Sequence, residues 1–192
     1  MHRKVLTPGR VLAAWLLLLQ AASATIVPRL SFEELTDSSD QVVSGTVTRS
    51  WAAWDAEHKY IWTHYELAVA SSHKGRFSPK LEFAEPGGQL DGVVHAMAGT
   101  VTYQPGESVL IFLQRMPNGY LRTTGWGQGK YTLDANRKLH GGAALKGVDM
   151  VAPGRPVAGA TSLESLEGVT LTELSRRVAA RASRNTTQGG TR

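Results

Sequence analysis

The chain contains no cysteine. That absence excludes thiol nucleophiles, iron–sulfur clusters, cysteine-based zinc sites and disulfide staples. A small secreted animal domain usually depends on disulfides. An exported chain without them fits a bacterial protein whose core is large enough to stand alone. Metal-ligand spacing is missing as well. Beyond the N-terminal region the histidines are His58, His64, His73, His95 and His140, and none forms H-E-x-x-H or an H-x-H pair. No metal and no other cofactor is therefore expected. Clustered positive charge is also lacking. Residues 1–24 carry three Lys/Arg and no acid, and residues 173–192 carry five Arg and one Glu. Residues 25–172 hold 13 basic and 15 acidic side chains. The formal charge of +5 thus belongs to the two ends. A nucleic-acid binder neutralises phosphates with a basic patch, so nucleic acid is not an expected partner. The longest apolar run, residues 11–19, is too short to span a bilayer.

That run does have a recognisable setting. It follows Arg3, Lys4 and Arg10 and precedes Ala22-Ser23-Ala24. A basic start, a short apolar core and an A-x-A site are the parts of a secretory signal peptide. Cleavage is expected after Ala24, leaving Thr25 as the N-terminus of a secreted or periplasmic protein with no membrane span. An uncleaved anchor is the alternative.

The remainder reads as mostly β. In 60–70, Ile61, Thr63, Tyr65, Leu67 and Val69 alternate with Tyr60, Trp62, His64, Glu66 and Ala68, the pattern of a half-buried strand. The first set is the expected core face. Residues 41–51 alternate likewise around Gly45, which predicts a bend or a close backbone approach. In 80–85, Leu81 and Phe83 point inward. Residues 86–92 read as turn, and 93–103 as a strand broken at Gly99. Residues 108–116 are apolar on both faces and predict a buried central strand, followed by an Asn118-Gly119 hairpin turn. Two strands flank "GWGQGK", and a short one is expected near Leu139. Ser31 and Glu34 have capping-box spacing at the start of a short helix, and so do Thr170 and Glu173. The expected organisation is a β-barrel domain over 25–150, a linker or surface wrap over 151–169, a C-terminal helix over 170–184 and a disordered tail over 185–192.

The segments "DQVVSGTV", "YELAVASSHKG", "EPGGQLDG", "YQPGESVLIFLQR" and "GYLRTTGWGQGKYTL" resemble a widespread family of uncharacterised secreted bacterial β-barrel proteins, over residues 30–178. The strand rhythm is similar, more distantly, to the OB-fold barrel of netrin-like and tissue metalloproteinase-inhibitor domains. The resemblance implies a small OB-like antiparallel β-barrel with a short N-terminal and a C-terminal helix, and a secreted address. The animal inhibitors clamp a protease zinc with an N-terminal cysteine. Thr25 stands at the corresponding end here, so the resemblance supplies no activity.

Candidate chemistry is sparse. "GWGQGK" suggests a phosphate loop, but Thr124 stands where a P-loop needs glycine, Tyr131 where it needs Ser or Thr, and Lys130 where a dinucleotide fingerprint needs its third glycine. Gly45, Gly125, Gly127 and Gly129 are therefore read as structural glycines. Ser108 lacks the second glycine of G-x-S-x-G, since Leu110 occupies it. The carboxylates Glu85, Asp91 and Glu107 near glycine turns could pair as acid and base, or simply be solvated. No catalytic residue is assigned. The aromatics carry more weight. Trp51, Trp54, Tyr60, Trp62 and His64 are the candidate binding residues, because Trp and Tyr dominate contact hot spots. The C-terminal segment could instead cover them. The leading expectation is a non-enzymatic module that binds an exported protein, a protease among the possibilities. The alternatives are a carbohydrate or cell-envelope module and a carboxylate- or metal-dependent hydrolase.

Overall fold

The computed structural model describes residues 26–97, 99–141, 149–151 and 166–189. The expected signal peptide with its cleavage site at Ala24, and residues 152–165 of the expected wrap, lie outside these. Among the described residues no helix is long and apolar enough to cross a membrane.

The centre is an antiparallel sheet. Its long hairpin is β2 (Gln41–Trp54) with β3 (Ile61–Lys74). β4 (Lys80–Pro86) continues from β3, and β7 (Ser108–Arg115) lies on the other side of β2. β9 (Lys130–Leu133) follows on β7, then β10 (Leu139–Gly141), while β8 (Leu121–Thr123) pairs with the far end of β7. Two small additions complete the strands. β5 (Gly88–Leu90) and β6 (Val93–His95) form a separate hairpin, and β1 (Ile26–Pro28) pairs in parallel with β11 (Asp149–Val151). The segment read as turn at 86–92 thus contains a strand, because Asp91 and Gly92 both take positive φ and make a two-residue hairpin turn. The strand expected over 93–103 ends at His95. Val101 and Tyr103 are buried in the core without joining any ladder among the described residues.

Alternation explains the two sides of the sheet. Val43, Val47, Tyr65, Leu67, Val69, Leu81, Phe83, Val109, Ile111 and Leu113 point to one core. Leu110 and Phe112 of β7 point to the other side, where Phe32 and Leu35 of α1 (Phe32–Asp37) and Leu171, Leu174 and Val178 of α2 (Leu171–Gly189) cover them. β7 is therefore buried on both faces, as its unbroken apolar run predicts. Leaving Leu110 and Phe112 bare would cost about 2 kcal/mol each, which holds the helices down. The capping box of α1 is formed, with Glu34 N–H donating to Ser31 Oγ (3.2 Å) and Ser31 N–H to Glu34 Oε2 (2.8 Å). Arg181 of α2 pairs with Asp37 of α1. α2 continues to Gly189, beyond the expected end at residue 184 and into the stretch expected to be a disordered tail.

The sheet curls, but among the described residues no backbone ladder joins β4 to β8, so it is not a closed barrel. Side chains bridge that gap. Thr123 N–H donates to Glu85 Oε1 (2.8 Å) and Arg122 Nε to Glu85 Oε2 (3.3 Å). The Tyr103 and Thr123 hydroxyls are 2.6 Å apart.

Candidate functional site

The five aromatic candidates fall into two groups. Trp51 and His64 are directly opposite on β2 and β3, and their rings stack with centroids 5.3 Å apart and planes 16° apart. Trp62 lies two residues from His64 on the same face. Tyr120 reaches both from the β7–β8 turn, meeting Trp62 and His64 edge-on at 5.2 Å each. Ala84, the β4 partner of His64, is the small residue beside them in register. The Arg49 guanidinium sits 4.3 Å over the Trp51 ring. His64 is buried, its Nδ1–H donating to Glu82 Oε1 (2.9 Å), and its Nε2 is buried without a partner among the described residues. Trp51, Trp62 and Tyr120 remain half-buried.

Trp54 and Tyr60 belong elsewhere. Trp51 and Trp54 are an odd number of residues apart on one strand, so they face opposite sides. Trp54 stacks with His58 (6.2 Å) and meets His95 edge-on (5.6 Å), while its indole N–H donates to Asp91 Oδ2 (3.2 Å). Tyr60 also faces His95 and is 61% exposed. The helices do not cover the Trp51–Trp62 face. α2 lies beside Ser71–His73, at the opposite end of the long hairpin. Tyr120 and Arg49 were missed in the sequence. Arg49 could have been found from its spacing of two from Trp51, but Tyr120 arrives through tertiary packing alone.

The carboxylates do not converge. Glu107 pairs with Lys130 (2.6 Å), Asp91 holds Trp54, and Glu85 is fully buried at the β4–β8 gap. Glu85 is therefore not a solvated turn carboxylate. It continues the inward parity of Leu81 and Phe83, which is the signal that could have placed it. Burial raises its pKa from 4.5 to about 7, outweighing the bonds from Thr123 and Arg122. Arg122 Nε lies 3.3 Å from Glu85 Oε2. Ser108 is exposed at the start of β7.

Arg122 has a second neighbour. Its guanidinium lies 3.8 Å over the Trp126 ring, and its Nη2 is buried without an acceptor among the described residues. Pro28, Leu30, Ser38, Gln114, Thr124 and Gly125 surround the pair in a recess of about 240 Å³. The glycine run explains this corner. Gly125 is left-handed (φ 64°), and residues Trp126–Gly129 make one 3₁₀ turn. A Cβ at Gly129 would lie 2.5 Å from Thr124 O. Gln128, buried within the turn, accepts from Leu30 N–H (2.8 Å) and donates to Pro28 O (2.9 Å). The run clasps the N-terminal strand, and no helix N-terminus follows it to hold phosphate. Gly45 has its own reason, since a Cβ there would fall 2.1 Å from Ala68 O on β3.

The other histidines have local partners. His73 Nε2 is 3.0 Å from Ser44 Oγ, and burial, with Arg137 nearby, lowers its pKa. His140 lies between Glu167 (2.7 Å) and Asp134 (3.2 Å), which raise its pKa. Among the described residues no three His, Asp or Glu side chains form a group able to hold a metal ion. Comparison with protein-family models, with curated proteins and with solved structures finds no match to this chain.

Proposed function

We propose that the protein is a secreted or periplasmic, non-enzymatic binding module. In this reading the sheet is an OB-like barrel, the fold that the resemblance to the secreted bacterial family implies, with its seam made by side chains. It engages an exported protein, a protease being one candidate, through Trp51 and Trp62, with Tyr120 and Arg49 added and the buried His64 packed beneath as their support. The observation that carries the reading is the mutual packing of these rings on a sheet face that neither described helix covers. Rings that already fix one another lose little freedom on binding, the property of an interface anchor. The same packing disfavours a sugar platform, which needs a flat ring face left open. The separated carboxylates give no support to a hydrolase.

A photo-crosslinking residue at position 62, in the protein expressed in its own host, should trap one exported protein. The purified partner should bind the Trp62→Ala variant with roughly 30-fold lower affinity, as expected for an aromatic hot spot. Phe77→Ala, exposed in the β3–β4 turn, is the control. Equal affinity of Trp62→Ala and wild type would remove this face from consideration.

A further inference from the structure

We infer that the recess beside Arg122 and Trp126 is a binding site for a single carboxylate group. It is separate from the aromatic face and does not depend on that reading.

Four observations carry the inference. First, Arg122 Nη2 is buried with no acceptor among the described residues, and a donor in that position is costly until something supplies one. Second, the guanidinium is held flat against the Trp126 indole, so its fork is oriented in advance. Third, Trp126 takes a left-handed backbone (φ 58°), which a bulky side chain adopts only under strain. Gln128 locks the turn that imposes it, through its bonds to Pro28 and Leu30. Fourth, among the described residues the recess is lined by Ser38, Gln114 and Thr124 and by no acid, and Arg122 is the charged group in that lining.

The chemistry selects the ligand. A planar guanidinium matches a planar carboxylate with two parallel bonds. One cation, already shared with Glu85 behind it, does not compensate a phosphate dianion. The volume, about 240 Å³, is below that of a drug-sized pocket and suits the end group of a ligand. The Arg122 guanidinium lies over the Trp126 ring and both residues line the recess, so the indole reports binding.

Glu85 couples the site to protons. The groups facing it are Arg122 and Thr123 of β8, Tyr103 from the preceding segment and Tyr65 of β3. Both tyrosines stay neutral, because burial raises their pKa values. A bound carboxylate competes with Glu85 for the guanidinium and so favours the protonated form of Glu85. By reciprocity, binding tightens as pH falls.

The test is an NMR titration with N-acetylglycine, following the Trp126 indole N–H. The uncharged N-acetylglycinamide is the control. Saturable shifts are expected, with affinity roughly three- to tenfold higher at about pH 6 than at about pH 8. Glu85→Gln should bind with the tighter affinity at both pH values. The Glu85→Gln/Arg122→Gln double variant removes both buried charges together, so it should fold but not bind. Trp62→Ala should bind as wild type does, which keeps this site distinct from the aromatic face. Acetate arms identify the source. Equal affinity for acetate assigns the site to free small acids, and clearly weaker acetate binding assigns it to polypeptide C-termini. The inference fails if folded wild type gives no saturable shift, if the amide binds as well as the acid, or if inorganic phosphate binds at least as tightly. It also fails if Glu85→Gln keeps the wild-type pH dependence.

Discussion

Glu85→Gln should flatten the pH dependence of stability. The folded carboxyl titrates at about 7 and an unperturbed one at 4.5. From about pH 5 to pH 7 the folded protein holds a proton that the unfolded chain has released, so stability falls as pH rises through this window. Raising the pKa from 4.5 to about 7 corresponds to about 3 kcal/mol, undiminished by solvent because Glu85 is fully buried. Gln cannot titrate, and its amide oxygen can still accept from Thr123 N–H. Urea unfolding of wild type and variant at several pH values gives both slopes. Other groups contribute to each slope. His140, with its raised pKa, stabilises below the ordinary histidine value of 6.5 and loses that contribution as pH rises through its folded pKa. His73, with its lowered pKa, stabilises above 6.5 and loses that contribution as pH falls through its folded pKa. Both are present in the variant, so the difference between slopes isolates Glu85. Parallel slopes, or a wild-type stability that rises relative to the variant between about pH 5 and pH 7, would refute the assignment of a buried, protonated Glu85.

Three more outcomes are expected. Gly45→Ala should cost about 3 kcal/mol or prevent folding, since the added methyl meets the backbone of β3 and not a movable side chain; the urea midpoint reads this. Gln128→Ala should cost about 1–3 kcal/mol and speed proteolysis near Pro28, because Leu30 N–H and Pro28 O lose their partner. His140→Ala should lower the melting temperature more at about pH 6 than at about pH 8, because the imidazolium between Glu167 and Asp134 forms only on the acid side. Equal losses at the two pH values would refute that role.

Legibility followed the strength of the local rule. β3 was readable because one face is buried and the other is not, so Ile61, Tyr65, Leu67 and Val69 imprint a period of two. β7 was readable because two cores leave no polar position in its middle. The capping box at Ser31 and Glu34 was readable because four consecutive residues make it. Other features depend on segments distant in sequence. Val101 and Tyr103 are buried with no ladder, so periodicity has nothing to record. Trp51 and Trp54 were grouped by nearness along the chain, although parity already separates them. Tyr120 joins His64 across β4, and Arg122 acquires Glu85, through sheet curvature that no short window contains. The strand at Gly88–Leu90 was hidden because glycine and aspartate at 86–92 read as turn, whereas part of that stretch is the hairpin it creates.

The position of β7 has a consequence for how the molecule can fail. Ile111 and Leu113 support the inner core, while Leu110 and Phe112, their neighbours along the same backbone, support the helical layer. One strand therefore serves as a party wall between two rooms. Lifting α1 and α2 away bares the outer side of that wall and removes the buttress that keeps its inner side in place. The molecule has no inexpensive way to shed its helices and keep its sheet, so the two layers stand or fall together.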